Sequence, residues 1–269
     1  MKRALVIGVL AVLAFAVILI ARLPASWVVP SSPASKIACA DTEGTIWNGG
    51  CTGLTFQGQN VGDVTWVLHA LPLLSGKVAA HVVISRAPGL PGHPGSGRLG
   101  QGAAVSAPAH AEADIESGFS GKDITAHNVK ADLSFDPTLA PQLNIPFQGN
   151  LHADLPQVRV KDHRVTQVQG EVQVHDLIDS RDKMELGSYS LTFPASPGAQ
   201  TARLRDIDGG PLSFEGTLSV TDQHSIVLDG LVAARPSASQ RLQDLINSIP
   251  DRPDPQGRRH ITTENELPF

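Results

Sequence analysis

The sequence predicts an all-β fold: a single N-terminal membrane helix, then a curled antiparallel sheet, as a sandwich or incomplete barrel, with one short C-terminal helix. Three observations carry this. Apolar and polar residues alternate with period two from about residue 60 onward, the signature of strands with one dry and one wet face. Gly and Pro number 25 and 20, while aromatics make up 4% and charged residues 17%, so turns are many and long helices few. One uncharged apolar run, Ala4 to Ala21, stands apart at the start of the 269-residue chain.

As a helix, residues 4–21 span about 27 Å, close to the roughly 30 Å hydrocarbon core of a bilayer. The run is longer than a usual signal-peptide core and no small-x-small site closes it, which favours an uncleaved anchor over a cleaved leader. Lys2 and Arg3 precede it and only Arg22 follows closely, which sets the amino terminus in the cytoplasm and the rest of the chain in a bacterial periplasm. Residues 1–22 are therefore expected to form the anchor and 23–36, rich in Pro and Ser, an extended linker. Residues 37–236 would form a periplasmic β domain and 237–269 a C-terminal helix and tail. Arg22 and Trp27 suit an interfacial belt at the membrane edge.

Cys39 and Cys51 are the only cysteines. In an oxidising compartment they can close a loop of about 13 residues, contributing roughly 3 kcal/mol if geometry allows; the alternative is two buried thiols.

The strands follow in order. Gly44-Thr45-Ile46-Trp47-Asn48-Gly49 sets a large aromatic between turn-forming glycines. Val64, Trp66 and Leu68 share one strand face, and Val78, Ala80, Val82 and Ile84 share the next, with Pro72-Leu73-Leu74-Ser75-Gly76 as the corner between antiparallel neighbours. A Pro/Gly-rich loop, residues 86–97, interrupts the pattern. Alternation resumes at Ala111, Ala113 and Ile115, at Val129 to Phe135 and at Phe147 to Leu155. It is clearest at Val168, Gly170, Val172 and Val174, and it continues at Tyr189 to Phe193, Leu212 to Val220 and Ile226 to Val232. Ser237 and Gln240 form a capping-box pattern ahead of Leu242, Leu245, Ile246 and Ile249, which predicts a helix ended by Pro250. Ile261 to Thr263 can add a last edge strand.

Chemistry is sparse. The net charge of −5, without an interior basic cluster, excludes a nucleic-acid footprint. Gly95 to Gly100 spells G-x-G-x-x-G, but a loop precedes it where a dinucleotide site needs a strand. His152 with Asp154, and His110 with Glu112, sit at i, i+2 on wet strand faces; two ligands do not make a metal site. No catalytic constellation, cofactor site or metal site is predicted, and the chain is read as a non-enzyme.

The residues Gly44-Thr45-x-Trp47-x-Gly49, Trp66-x-Leu68, Pro72-Leu73-Leu74-x-Gly76 and Gly210-Pro211-Leu212-x-Phe214-x-Gly216 resemble the type II secretion system protein N family. The resemblance implies an inner-membrane, single-pass component of the apparatus that exports folded proteins across the outer membrane. Its partners would be other secretion components. It also marks Gly44, Trp47, Gly49, Trp66, Pro72, Leu73, Gly76, Gly210, Pro211 and Gly216 as structural motif residues. The competing reading is a periplasmic lipid-binding or lipid-transport module. Inward-facing small residues (Ala111, Ala113, Ala131, Gly149, Ala153 and Gly170) could leave room for acyl chains, or could simply permit close sheet packing.

Overall fold

A computed structural model describes residues 15, 19–27, 37–56, 59–86, 108–135, 146–162, 164–195, 201–220 and 225–266. Most of the apolar run at 4–21, the loop around 86–97 and the Gly95 to Gly100 motif lie outside the described residues. Among the described residues no helix is long and apolar enough to cross a membrane.

Among the described residues the sheet contains fourteen strands: β1 (Ile37–Ala38), β2 (Asp41–Gly44), β3 (Asn48–Phe56), β4 (Gln59–His69), β5 (Lys77–Arg86), β6 (Ala109–Gly118), β7 (Asp123–Phe135), β8 (Phe147–Lys161), β9 (Arg164–Asp179), β10 (Met184–Phe193), β11 (Thr201–Asp206), β12 (Leu212–Val220), β13 (Ser225–Ala234) and β14 (Arg259–Glu266). From β3 to β14 each strand pairs antiparallel with its neighbour in sequence, and β1 and β2 share the free side of β3. Such a meander needs only local connections. The sheet is open: β1 and β2 form one edge, β14 the other, and no described pairing joins them.

Register places the alternating apolar residues on one continuous face. Val64 lies opposite Ile84, Trp66 opposite Val82, Ala111 opposite Ala131, Leu133 opposite Leu151, Ala153 opposite Val172, Leu191 opposite Leu204 and Phe214 opposite Val232. Bulges keep this face continuous where the alternation slips. Asn128, at φ 51°, takes up an extra residue in β7, and Gly170, at φ 118°, lets β9 pass Pro156; a Cβ on Gly170 would stand 2.2 Å from the Asp154 carbonyl oxygen.

Among the described residues the packed core lies in the C-terminal strands. Met184, Tyr189, Phe214 and Val232 are buried together with Ala238, Leu242 and Ile246. The last two come from helix α1 (Gln240–Asn247), which plugs the end of the sheet between β13 and β14. The N-cap is Ser239, whose hydroxyl accepts from the Leu242 N–H at 3.3 Å, and not the expected Ser237. Ser237 is held outside the helix by a turn in which the Ala238 N–H donates to the Arg235 carbonyl. Leu245, expected on the apolar face, points outward; Leu242 and Ile246 make the contact.

Among the described residues nothing comparable covers the dry face along β4–β9. Its side chains, Ala153 excepted, are half-buried or exposed. On the wet face, cross-strand pairs replace the i, i+2 pairing seen in the sequence: His152 meets Asp132 at 2.5 Å rather than Asp154, His81 meets Asp114 at 2.8 Å, and His260 meets Asp229 at 3.1 Å.

Candidate functional site

The motif residues gather at the two ends of the strands. At the end formed by the β2–β3, β4–β5 and β6–β7 turns, Gly44 adopts φ 79°, and a Cβ there would stand 2.4 Å from the Asn48 carbonyl oxygen. Gly49 lies opposite Trp66, and a Cβ on it would meet the Trp66 ring at 2.6 Å. The absence of a side chain at Gly49 therefore lets the indole lie flat across β3. Trp66 Nε1 donates to the Ile46 carbonyl at 3.0 Å, which fixes the intervening turn.

That turn fastens the end of the N-terminal helical segment. Trp47 Nε1 donates to the Ile20 carbonyl at 2.8 Å, the Ile46 N–H donates to the Leu23 carbonyl at 3.0 Å, and Pro24 bridges to Thr45. Ala25 is 1% exposed in the 3-10 turn Ala25–Trp27. The first residues of the segment expected to be a linker are thus packed on the sheet. Residues 28–36 lie outside the described residues.

Pro72 and Leu73 sit in a 3-10 turn, Leu71–Ser75, that joins β4 to β5; Gly76 closes it at φ 78° with its N–H on the Leu73 carbonyl. The Leu68 N–H donates to the Trp47 carbonyl at 2.7 Å, so this turn and the Trp47 turn are neighbours.

Gly210 and Pro211 lie at the opposite end, beside α1. Arg235 donates to the Gly210 carbonyl at 2.8 Å and pairs with Asp206 at 2.5 Å, and its N–H donates to the Pro211 carbonyl at 2.8 Å. Gly216 faces Gly230 beneath the Phe214 ring, which would stand 2.9 Å from a Cβ on Gly216. The two ends are separate clusters, and Cys39 and Cys51 belong to neither. They form a disulfide with a Cα–Cα distance of 5.7 Å, bridging the break between β1 and β2 to the middle of β3.

The perturbed acids are matched by structural partners. Hydrogen bonds from Asn128 and His81 hold Asp114 below the usual carboxylate range, and those from Ser190 and Gln173 do the same for Glu171. Burial acts to raise Asp208, but donors from Ser188 and the Gly210 N–H outweigh it. Burial pushes the Tyr189 phenol well above its ordinary value; its hydroxyl donates to the Leu186 carbonyl at 2.6 Å. Among the described residues no group of three or more His, Cys, Asp or Glu could hold a metal ion. The bonds gathered at these two ends are fasteners within the fold.

Residues 35–262 match the family described as type II secretion system (T2SS), protein N. The chain belongs to this family. The protein named "Type II secretion system protein N" from Vibrio cholerae serotype O1 is 23% identical over 276 residues, covering 99% of this chain and 100% of that protein. No solved structure matches. The family match spans every strand from β1 to β13 and enters β14, so both clusters of motif glycines and tryptophans lie within it. Sequence reasoning singled out the Trp47 turn but not what it holds. Ile20 lies 27 residues away from Trp47, and nothing local in the sequence marks that contact.

Proposed function

We propose that this chain is a non-enzymatic, inner-membrane component of the type II secretion system, aiding export of folded proteins across the outer membrane. Residues 4–21 span the membrane once with the amino terminus in the cytoplasm, residues 37–236 form the periplasmic β domain, and residues 237–269 complete it with α1 and β14. The observation that carries this reading is the family match across almost the whole sheet. The Cys39–Cys51 disulfide supports an oxidising compartment. The Trp47 fastening supports an anchor built continuously onto the sheet. Partners are other secretion components, met through the sheet.

Deleting the gene and measuring exoproteins in the medium against those held in the periplasm tests this reading. Retention of folded exoproteins, reversed by complementation, is the expected result; unchanged export counts against it.

A second reading is favoured by one observation, the uncovered dry face of β4–β9. There the sheet forms an apolar trough of half-buried side chains. Such a trough suits acyl chains. Co-purifying lipid, lost when Ala131 and Ala153 are enlarged to Phe, would move the assignment to lipid handling.

A further inference from the structure

We propose that the end of the sheet carrying the Trp47 turn is itself a bilayer-contacting surface, in which Trp27, Leu71, Leu74 and Phe119 enter the interface beside the N-terminal helix. The inference rests on the reading of residues 4–21 as a membrane anchor and adds a second, independent contact to it.

The argument begins with exposure. The most exposed large apolar side chains described are Leu74 (87%), Leu71 (79%), Trp27 (76%), Phe119 (68%) and Phe15 (62%). Scattered exposed leucines need no explanation, but these are not scattered. Phe15 belongs to the apolar run itself. The other four lie at one end of the sheet, in three places that the backbone joins. Trp27 ends the 3-10 turn Ala25–Trp27, and Pro24, just before that turn, bridges to Thr45. Trp47, two residues on, accepts through its carbonyl from the Leu68 N–H, just before the turn that displays Leu71 and Leu74. Lys77, which follows that turn, pairs with Gly118, so Phe119 is next to it; a Cβ on Gly76 would lie 4.0 Å from the Phe119 ring.

The occupant follows from where the chain goes. The described end of the apolar run meets this end of the sheet, because Ile20 and, just beyond the run, Leu23 are bonded there to the Trp47 turn. A helix spanning a bilayer and leaving it at Arg22 sets the interface at the level of these side chains. A 3-10 turn with two outward leucines and a neighbouring phenylalanine is the composition that interfacial segments use. Charge at this end is mixed: Lys122, Lys161 and Arg164 alternate with Asp123 and Asp162. The contact is therefore apolar in origin and should persist in high salt. The sheet then stands upright on the membrane. The ten residues of β5 extend about 34 Å, which carries α1 and the Gly210 cluster away from the lipid.

The test uses the full chain in vesicles of phosphatidylethanolamine and phosphatidylglycerol. Because Cys39 and Cys51 are bonded to each other, Leu74→Cys, Phe119→Cys or, on α1, Leu245→Cys supplies a single thiol for an environment-sensitive fluorophore. The expected result is blue-shifted emission at 74 and 119, quenched by lipids spin-labelled near the headgroup and unchanged in high salt, with the probe at 245 quenched only by aqueous iodide. Water-exposed probes at 74 and 119 in vesicles whose protein resists carbonate extraction would overturn the proposal while leaving the anchor intact, and would give this surface to a protein partner. Carbonate release with both probes water-exposed would overturn the anchor and the surface together. Carbonate release with lipid-quenched probes would overturn the anchor reading alone and leave this surface as the membrane contact.

Discussion

The C-terminal strands β10–β14 and the strands β4–β9 use the same alternation but end in different states. In the first region α1 closes over the dry face, and Leu242 is left only 1% exposed. In the second the dry face stays half-open along its length. The difference teaches that a strand pattern specifies which face is dry without specifying what covers it. Stability should therefore be concentrated near α1, and the capacity to bind should lie along β4–β9. The two edges are also held differently. The C-terminal side has a helix driven into it, whereas the N-terminal edge, broken between β1 and β2, has a covalent bond and an indole clasp.

The largest expected effect is a contrast between two leucines. Leu242→Ala removes a wholly buried side chain from the plug and should cost about 3 kcal/mol. Leu151→Ala, on the half-buried face of β8, should cost about 1 kcal/mol. Denaturant titration of the full chain in mild detergent reads both. Equal costs would mean that the trough is as tightly packed as the plug, and the comparison would fail.

The disulfide comes next. Replacing both Cys39 and Cys51 by Ser should lower stability by about 3 kcal/mol through the freed loop. Proteolysis should then begin at β1–β3 and spare β10–β14. Cleavage starting at the α1 end would show that the edges are not independent.

The legible parts of this fold were those with local cause. Val64, Trp66 and Leu68, or Val168 to Val174, announce a strand because each side chain alternates with its neighbours. Thr201–Asp206 carries little legible strand pattern, because its only apolar residues are Ala202 and Leu204, and Arg203 and Arg205 mask so short an alternation. Ser237 with Gln240 matches the capping-box pattern, yet the turn from Arg235 to Ala238 leaves the cap to Ser239. The motif glycines were visible as turn formers. Their packing partners were not: Trp66 over Gly49 and Ile20 under Trp47 are contacts between distant segments. The membrane-facing end was half legible for the same reason. Trp27 marked an interface, whereas Leu71, Leu74 and Phe119 join it only once the meander sets their turns side by side.

The smallest effect concerns Tyr189, the only tyrosine in the chain, which lies inside the plug. Burial, then the nearby Asp206 and Asp208 carboxylates, raise its phenol well above the ordinary value near 10. The sign follows from proton binding. Below about pH 10 both folded and unfolded chains hold the proton, and the group does not make stability depend on pH. Above it the unfolded chain releases the proton first, so stability falls by up to about 1.4 kcal/mol per pH unit until the folded phenol also ionises. Tyr189→Phe should remove this slope, at a cost of about 1 kcal/mol at neutral pH for the lost donor to the Leu186 carbonyl. Because no other tyrosine contributes, tyrosinate absorbance reports the plug alone. Titration at the ordinary value in the folded protein would mean that α1 leaves Tyr189 open to water. The C-terminal region would then resemble the trough it is contrasted with.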